Sequence, residues 1–173
     1  MFAFDQKLVM LLSIDLLKYQ DRLRLSSEKG VAQIYCLCRK KQLVLTPEEI
    51  VRQLVLHYLV EEKQYPKNRI RVEMGLVVNT MSKRCDILVF NQRLEPVFLV
   101  ECKAANVTIT QSTFEQIARY NTTLKVPYLL VTNGPNNYCS LIDRVRKSFS
   151  FLDTVPDYEV LLQTKGTAIY KSY

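Results

Sequence analysis

Three apolar runs, Ile70–Val78, Cys85–Phe90 and Val97–Lys103, follow one another with only short polar stretches between them. Runs of that length, separated by turns rich in Asn, Ser and Pro, read as an antiparallel meander. The second and third runs carry charge inside them: Asp86 near the start of one, Glu101 and Lys103 at the end of the other. Taking an unpaired ion out of water costs several kcal/mol or more, so a strand holds such groups only with a compensating partner. Side chains two apart on a strand share a face. Glu101 and Lys103 therefore share one face, and Val100 and Cys102 the other. The meander brings Asp86 alongside, so three charged groups converge at one edge of a sheet. Two carboxylates are hard oxygen ligands suited to Mg²⁺ or Mn²⁺. A lysine beside them can orient or deprotonate a water, or neutralise charge in a transition state. That set suits phosphodiester hydrolysis.

The letters alone are not specific. The pattern [DE]-x-K occurs three times, at Asp5-Gln6-Lys7, Glu61-Glu62-Lys63 and Glu101-Cys102-Lys103. The first two fall in helical patterns and read as surface residues. Only the third sits in an apolar run one meander step from another acid. The plainer explanation for it is a structural Glu–Lys pair on a sheet surface.

The flanking segments frame the meander. Thr46-Pro47 opens a helix predicted to run to about Glu62 or Lys63, with Thr46 as N-cap, Pro47 first in the helix and Glu49 as the reciprocal partner of a capping box. Glu48 lies near the edge of the stripe formed by Ile50, Val51, Leu54, Val55 and Tyr58. It can face the sheet, or simply favour the helix N-terminus; which of Glu48 and Glu49 faces the site is left open. A second helix is predicted from about Thr110 to Leu124. It carries Gln116 and Tyr120 four apart, on one face, as site candidates or as ordinary amphipathic residues. Tyr128–Thr132 and Tyr138–Ile142 read as further strands. The helix between Lys103 and Tyr128 implies a parallel pairing and a mixed α/β layer. Residues 2–20 have helical spacing, and 21–45 look irregular with short strands.

Bulk properties narrow the partners. The 173 residues suffice for one domain, and the net charge of +7 favours a polyanion. The excess is spread over Arg39-Lys40-Lys41, Arg69 with Arg71, Lys83-Arg84, and Arg144 with Arg146-Lys147. Five cysteines, an odd number, argue against a complete disulfide framework and for a reducing cytoplasm. The single histidine, His57, makes a histidine-based metal site a poor reading. The apolar start is interrupted by Asp5, Lys7 and Asp15 and lacks a basic n-region, which speaks for an amphipathic helix or packing arm rather than a leader or a membrane span.

Taken together, Glu48, Asp86, Glu101-x-Lys103 and Gln116-x-x-x-Tyr120 resemble, in type and order, the PD-(D/E)xK nuclease superfamily. "LTPEEIVRQ", "KRCDILVF", "LVECKA" and "TFEQIARYN" more closely resemble the N-terminal nuclease domain of type I restriction enzyme R subunits, over about Arg39 to Asp157. The resemblance implies a restriction-endonuclease-like fold, α/β, with a mixed central sheet flanked by helices. It divides a single domain of residues 1–173 into an extension (1–38), a core (39–157) and a tail (158–173). It implies a Mg²⁺-dependent DNA endonuclease, with Mn²⁺ as a substitute. Asp86 and Glu101 would bind the metal, Glu48 would complete its site directly or through water, and Lys103 would serve the nucleophilic water. Gln116 and Tyr120 would support substrate and centre, and the products would carry 5′-phosphate and 3′-hydroxyl ends. Cys85 stands where many members have proline. The ATP-driven motor of an R subunit is not in this sequence, so other restriction or repair subunits, or a homodimer, are expected partners, and no membrane. The alternative is a non-catalytic nucleic-acid-binding or assembly module that retains the fold.

Overall fold

A computed structural model describes residues 11–78, 81–144, 146 and 148–163. Strands β1 (Leu25–Glu28), β2 (Val31–Cys36) and β3 (Lys41–Val44) form a small antiparallel sheet. Helix α1 (Pro47–His57) follows, extended by a π-helical turn at Tyr58–Glu62. Strands β4 (Ile70–Val78), β5 (Met81–Phe90) and β6 (Pro96–Cys102) then form the expected antiparallel meander. Helix α2 (Gln111–Leu124) crosses over to β7 (Tyr128–Thr132), which pairs parallel with β6. Strands β8 (Asn137–Asp143) and β9 (Ser148–Leu152) complete a six-stranded mixed sheet, and α3 (Tyr158–Gln163) ends the described chain. The class is mixed α/β.

The alternation of β6 divides the core. Phe98, Val100 and Cys102 pack with Val51, Leu54 and Val55 of α1. Leu99 packs with Leu88, Leu129 and Ile117 of α2. The two helices thus cover opposite faces of the large sheet. α1 starts as its sequence implies: Thr46 Oγ1 accepts from the Glu49 amide at 3.1 Å. α2 has a capping box between Thr110 and Thr113. It stops at Lys125, in the left-handed region at φ 57°, where Asn121 exchanges two hydrogen bonds with the Val126 backbone.

Three expectations change. The helical spacing of residues 2–20 does not yield a helix where the chain is described. Leu12 bridges Asn137, with its amide donating to the Asn137 carbonyl at 2.8 Å, and only Leu17–Arg22 coils, as a 3₁₀ turn. A strand partner distant in sequence overrides local periodicity there; residues 1–10 lie outside the described residues. The Glu49 side chain does not reciprocate the cap but turns inward, as described below. The start of the expected C-terminal tail is part of the core: Tyr158 and Leu161 are buried, and Tyr158 Oη donates to the Phe90 carbonyl at 2.9 Å.

Candidate active site

The β5–β6 ladder runs through Val89↔Phe98 and Leu88↔Leu99 to Ile87↔Val100. One step further its register sets Asp86 opposite Glu101, and here the strands fork. The Cys102 amide, which would meet a backbone carbonyl of β5, donates instead to Asp86 Oδ2 at 2.6 Å. On its other side β6 stays paired, the Lys103 amide donating to the Thr132 carbonyl at 2.8 Å. The Asp86 carboxylate fills the fork.

On the α2 side, the strand period sends Glu101 and Lys103 to the same face. Lys103 Nζ donates to Glu101 Oε1 at 2.7 Å and to Gln116 Oε1 at 3.3 Å. Gln116 Nε2 donates to Glu101 Oε1 at 2.6 Å and to Tyr120 Oη at 3.1 Å. The one-turn spacing of Gln116 and Tyr120 lets both reach this cluster. Burial, and then the negative charge of Asp86, push the Glu101 carboxyl up to about 7, against the opposing pull of Lys103; Glu48 adds to the repulsion. Asp86, Glu48 and Glu101 thus share one electrostatic neighbourhood. Burial works against the charge of Lys103, but the bond and charge of Glu101 outweigh it and raise its pKa. Lys103 is therefore a cation and a hydrogen-bond donor at neutral pH.

On the α1 side stands a residue absent from the sequence-derived site. Arg52 Nη2 donates to Asp86 Oδ1 at 2.8 Å and to Glu48 Oε1 at 3.0 Å, while Nη1 binds Glu49. The Arg52 and Glu49 side chains are only 6% and 5% exposed, whereas Glu48 is 41% exposed. Burial raises the Glu49 pKa, against hydrogen bonding from Gln53 and the charge of Arg52. So Glu49 is the inward acid and Glu48 reaches the centre through Arg52. The spacings 48–52 and 49–52 are those of helical ion pairs, which is the signal that could have found Arg52.

The donor chemistry suits a hard divalent cation at Asp86 and Glu101. Asp86 Oδ1 and Oδ2 each accept one of the bonds described and keep a second lone pair. Glu101 Oε1 already accepts from both Lys103 and Gln116, so Oε2 is the Glu101 oxygen left for a metal. Among the described residues, no three His, Cys, Asp or Glu side chains are grouped to hold a metal. A cation here would rest on two carboxylates and water, a common Mg²⁺ arrangement. The five cysteines are all unpaired. Among the described residues, no helix is long and apolar enough to cross a membrane.

Residues 47–156 match the model of the type I restriction enzyme R protein N terminus (HSDR_N). The chain belongs to this family. Among solved structures, it is similar to a fragment of an HsdR subunit of a type I restriction enzyme from Vibrio vulnificus YJ016, at 18% identity and a TM-score of 0.48. That likeness covers 68% of this chain and 25% of the other, so the chain spans about a quarter of the fragment's length. No curated protein matches the chain. Within the R-protein N-terminal family match lie all the named site residues, from Glu48 to Tyr120, while β1–β3 precede it.

Proposed function

We propose that this chain is a metal-dependent nuclease domain that hydrolyses DNA phosphodiester bonds. The observation that carries this reading is the β5–β6 fork. There Asp86 and Glu101 come into one electrostatic field with Lys103, which is held between Glu101 and Gln116. Membership of the R-protein N-terminal family supports it. Mg²⁺, or Mn²⁺ in its place, would be held by Asp86 and Glu101 and would supply charge neutralisation at the phosphate and a more acidic water. Lys103, as a fixed cation, donates hydrogen bonds that orient the attacking water or offset charge gathering on the phosphate. Gln116 fixes the Lys103 ammonium and the Glu101 carboxylate, and Tyr120 fixes the Gln116 amide. Exposed Lys40, Lys41, Lys83 and Arg84 offer sequence-independent contacts to phosphates. Other restriction or repair subunits remain the expected partners, on the family relation.

The second reading is a binding or assembly module with a silent centre. Its support is that both Asp86 oxygens are already engaged, by Arg52 and by the Cys102 amide. Incubation with supercoiled and single-stranded DNA in Mg²⁺, Mn²⁺ or EDTA separates the two. The nuclease reading expects metal-dependent cleavage, reduced at least about 100-fold in Lys103→Ala and Asp86→Asn, with folding checked by circular dichroism. No cleavage by wild type in either metal, with DNA binding intact, hands the case to the binding module.

A further inference from the structure

The feature that the proposed reaction does not use is Arg52. Its guanidinium lies between two of the acids expected to hold metal, with one nitrogen, Nη2, bonded to both Glu48 and Asp86. A cation bridging those two carboxylates would have to take that place. The arginine is 6% exposed and gripped by three carboxylates from two elements, so it is not a surface side chain free to swing aside.

Charge points the same way. Around the fork stand four carboxylates, Glu48, Glu49, Asp86 and Glu101, and two cations, Arg52 and Lys103. Glu73, whose field reaches Glu49, brings its own cations in Arg39 and Arg84. With all groups ionised the four carboxylates and two cations at the fork leave two negative charges, which one divalent cation balances. The Glu73 set, with two arginines to one carboxylate, adds positive charge and no need of a further metal. A second would leave an excess of two positive charges beside a buried arginine, before any phosphate arrives.

We propose that Arg52 is a built-in cation that confines the centre to a single divalent metal, held at Asp86 and Glu101, with Glu48 a ligand of Arg52 and not of the metal. This rests on the metal-dependent reading above. It assigns Arg52 a positioning role: it fixes the Asp86 carboxylate through Oδ1 from the α1 side, and a metal would be held by the lone pairs that this bond leaves free. Its Nε is buried with no hydrogen-bond partner, a donor left over because both terminal nitrogens are committed to carboxylates.

Mn²⁺ binding, followed by calorimetry and by the electron paramagnetic resonance of free Mn²⁺, tests this without any DNA or turnover. Wild type is expected to bind one Mn²⁺ per chain. Glu48→Gln, at an exposed position, is expected to bind one with affinity within about twofold of wild type, and Glu101→Gln to bind at least tenfold more weakly. Two Mn²⁺ per wild-type chain, or a tenfold loss of affinity in Glu48→Gln, overturns the single-metal assignment while leaving the nuclease reading standing. No Mn²⁺ bound by wild type at millimolar concentration overturns both.

Discussion

On the α1 side of the fork, Arg52 meets Glu48, Glu49 and Asp86 and is almost wholly buried. On the α2 side, Lys103 meets Glu101 alone among the carboxylates, shares itself with a neutral glutamine and is 21% exposed. The first arrangement is a guanidinium whose flat, multi-donor head is matched to several carboxylates at once. The second is a flexible ammonium beside a carboxyl raised to about 7. One side of Asp86 is therefore closed by a permanent charge, and the other keeps negative charge that the protein's own cations do not cancel. Uncancelled charge at a buried position destabilises the fold and gives a cation from solution something to bind.

If the contrast is sound, the largest effect belongs to the closed side. Arg52→Met leaves Glu49 and Asp86 buried without their cation, and should cost about 3–5 kcal/mol in urea denaturation. A loss under 1 kcal/mol would mean that the clamp holds little and that the two sides are alike.

The open side predicts a pH dependence of opposite character to ordinary acid denaturation. The Glu101 pKa lies near 7 in the folded protein and near 4.5 when unfolded. Between those values the folded state holds the extra proton. Stability from this group is thus fully present below about 4.5 and is lost as pH rises through 7, by about 3 kcal/mol in all. In EDTA, stability should fall over that window, and Glu101→Gln should flatten the fall. A flat wild-type profile would show that Lys103 neutralises Glu101 as fully as Arg52 does Asp86.

The smallest effect is Gln116→Leu. It removes two hydrogen bonds to the Glu101–Lys103 pair and should cost about 1–2 kcal/mol by thermal melting. A cost equal to that of Arg52→Met would erase the contrast from the other direction.

Much of the open side was legible in the chain. Glu101 and Lys103 show themselves because a strand has period two and the run around them is apolar. Gln116 and Tyr120 show themselves because a helix returns every fourth residue. The start of α1 is written in Thr46-Pro47. The closed side was not legible in the same way. Arg52 looks like a solvated position until it is known that β2 and β6 lie against α1 and that Gln53 beside it is buried, bonding the Leu37 amide. β9 is short and serine-rich, so its pairing with β8 decides it. The Leu12–Asn137 bridge joins residues 125 apart, and no local period reports such a contact.

Two parallel neighbours cannot be joined by a tight turn, because the chain must travel back the full length of the sheet before it re-enters. Between β6 and β7 that return is made by residues 103–127, and α2 is its only helix. The fourteen residues of α2 therefore serve two ends at once. They route the chain so that β7 can hold the Lys103 amide, and they carry the glutamine and tyrosine that wall the Glu101–Lys103 pair. Connectivity and chemistry are written on the same piece of chain, so the wall cannot be shortened or replaced by a loop without also rethreading the sheet on which the pair stands.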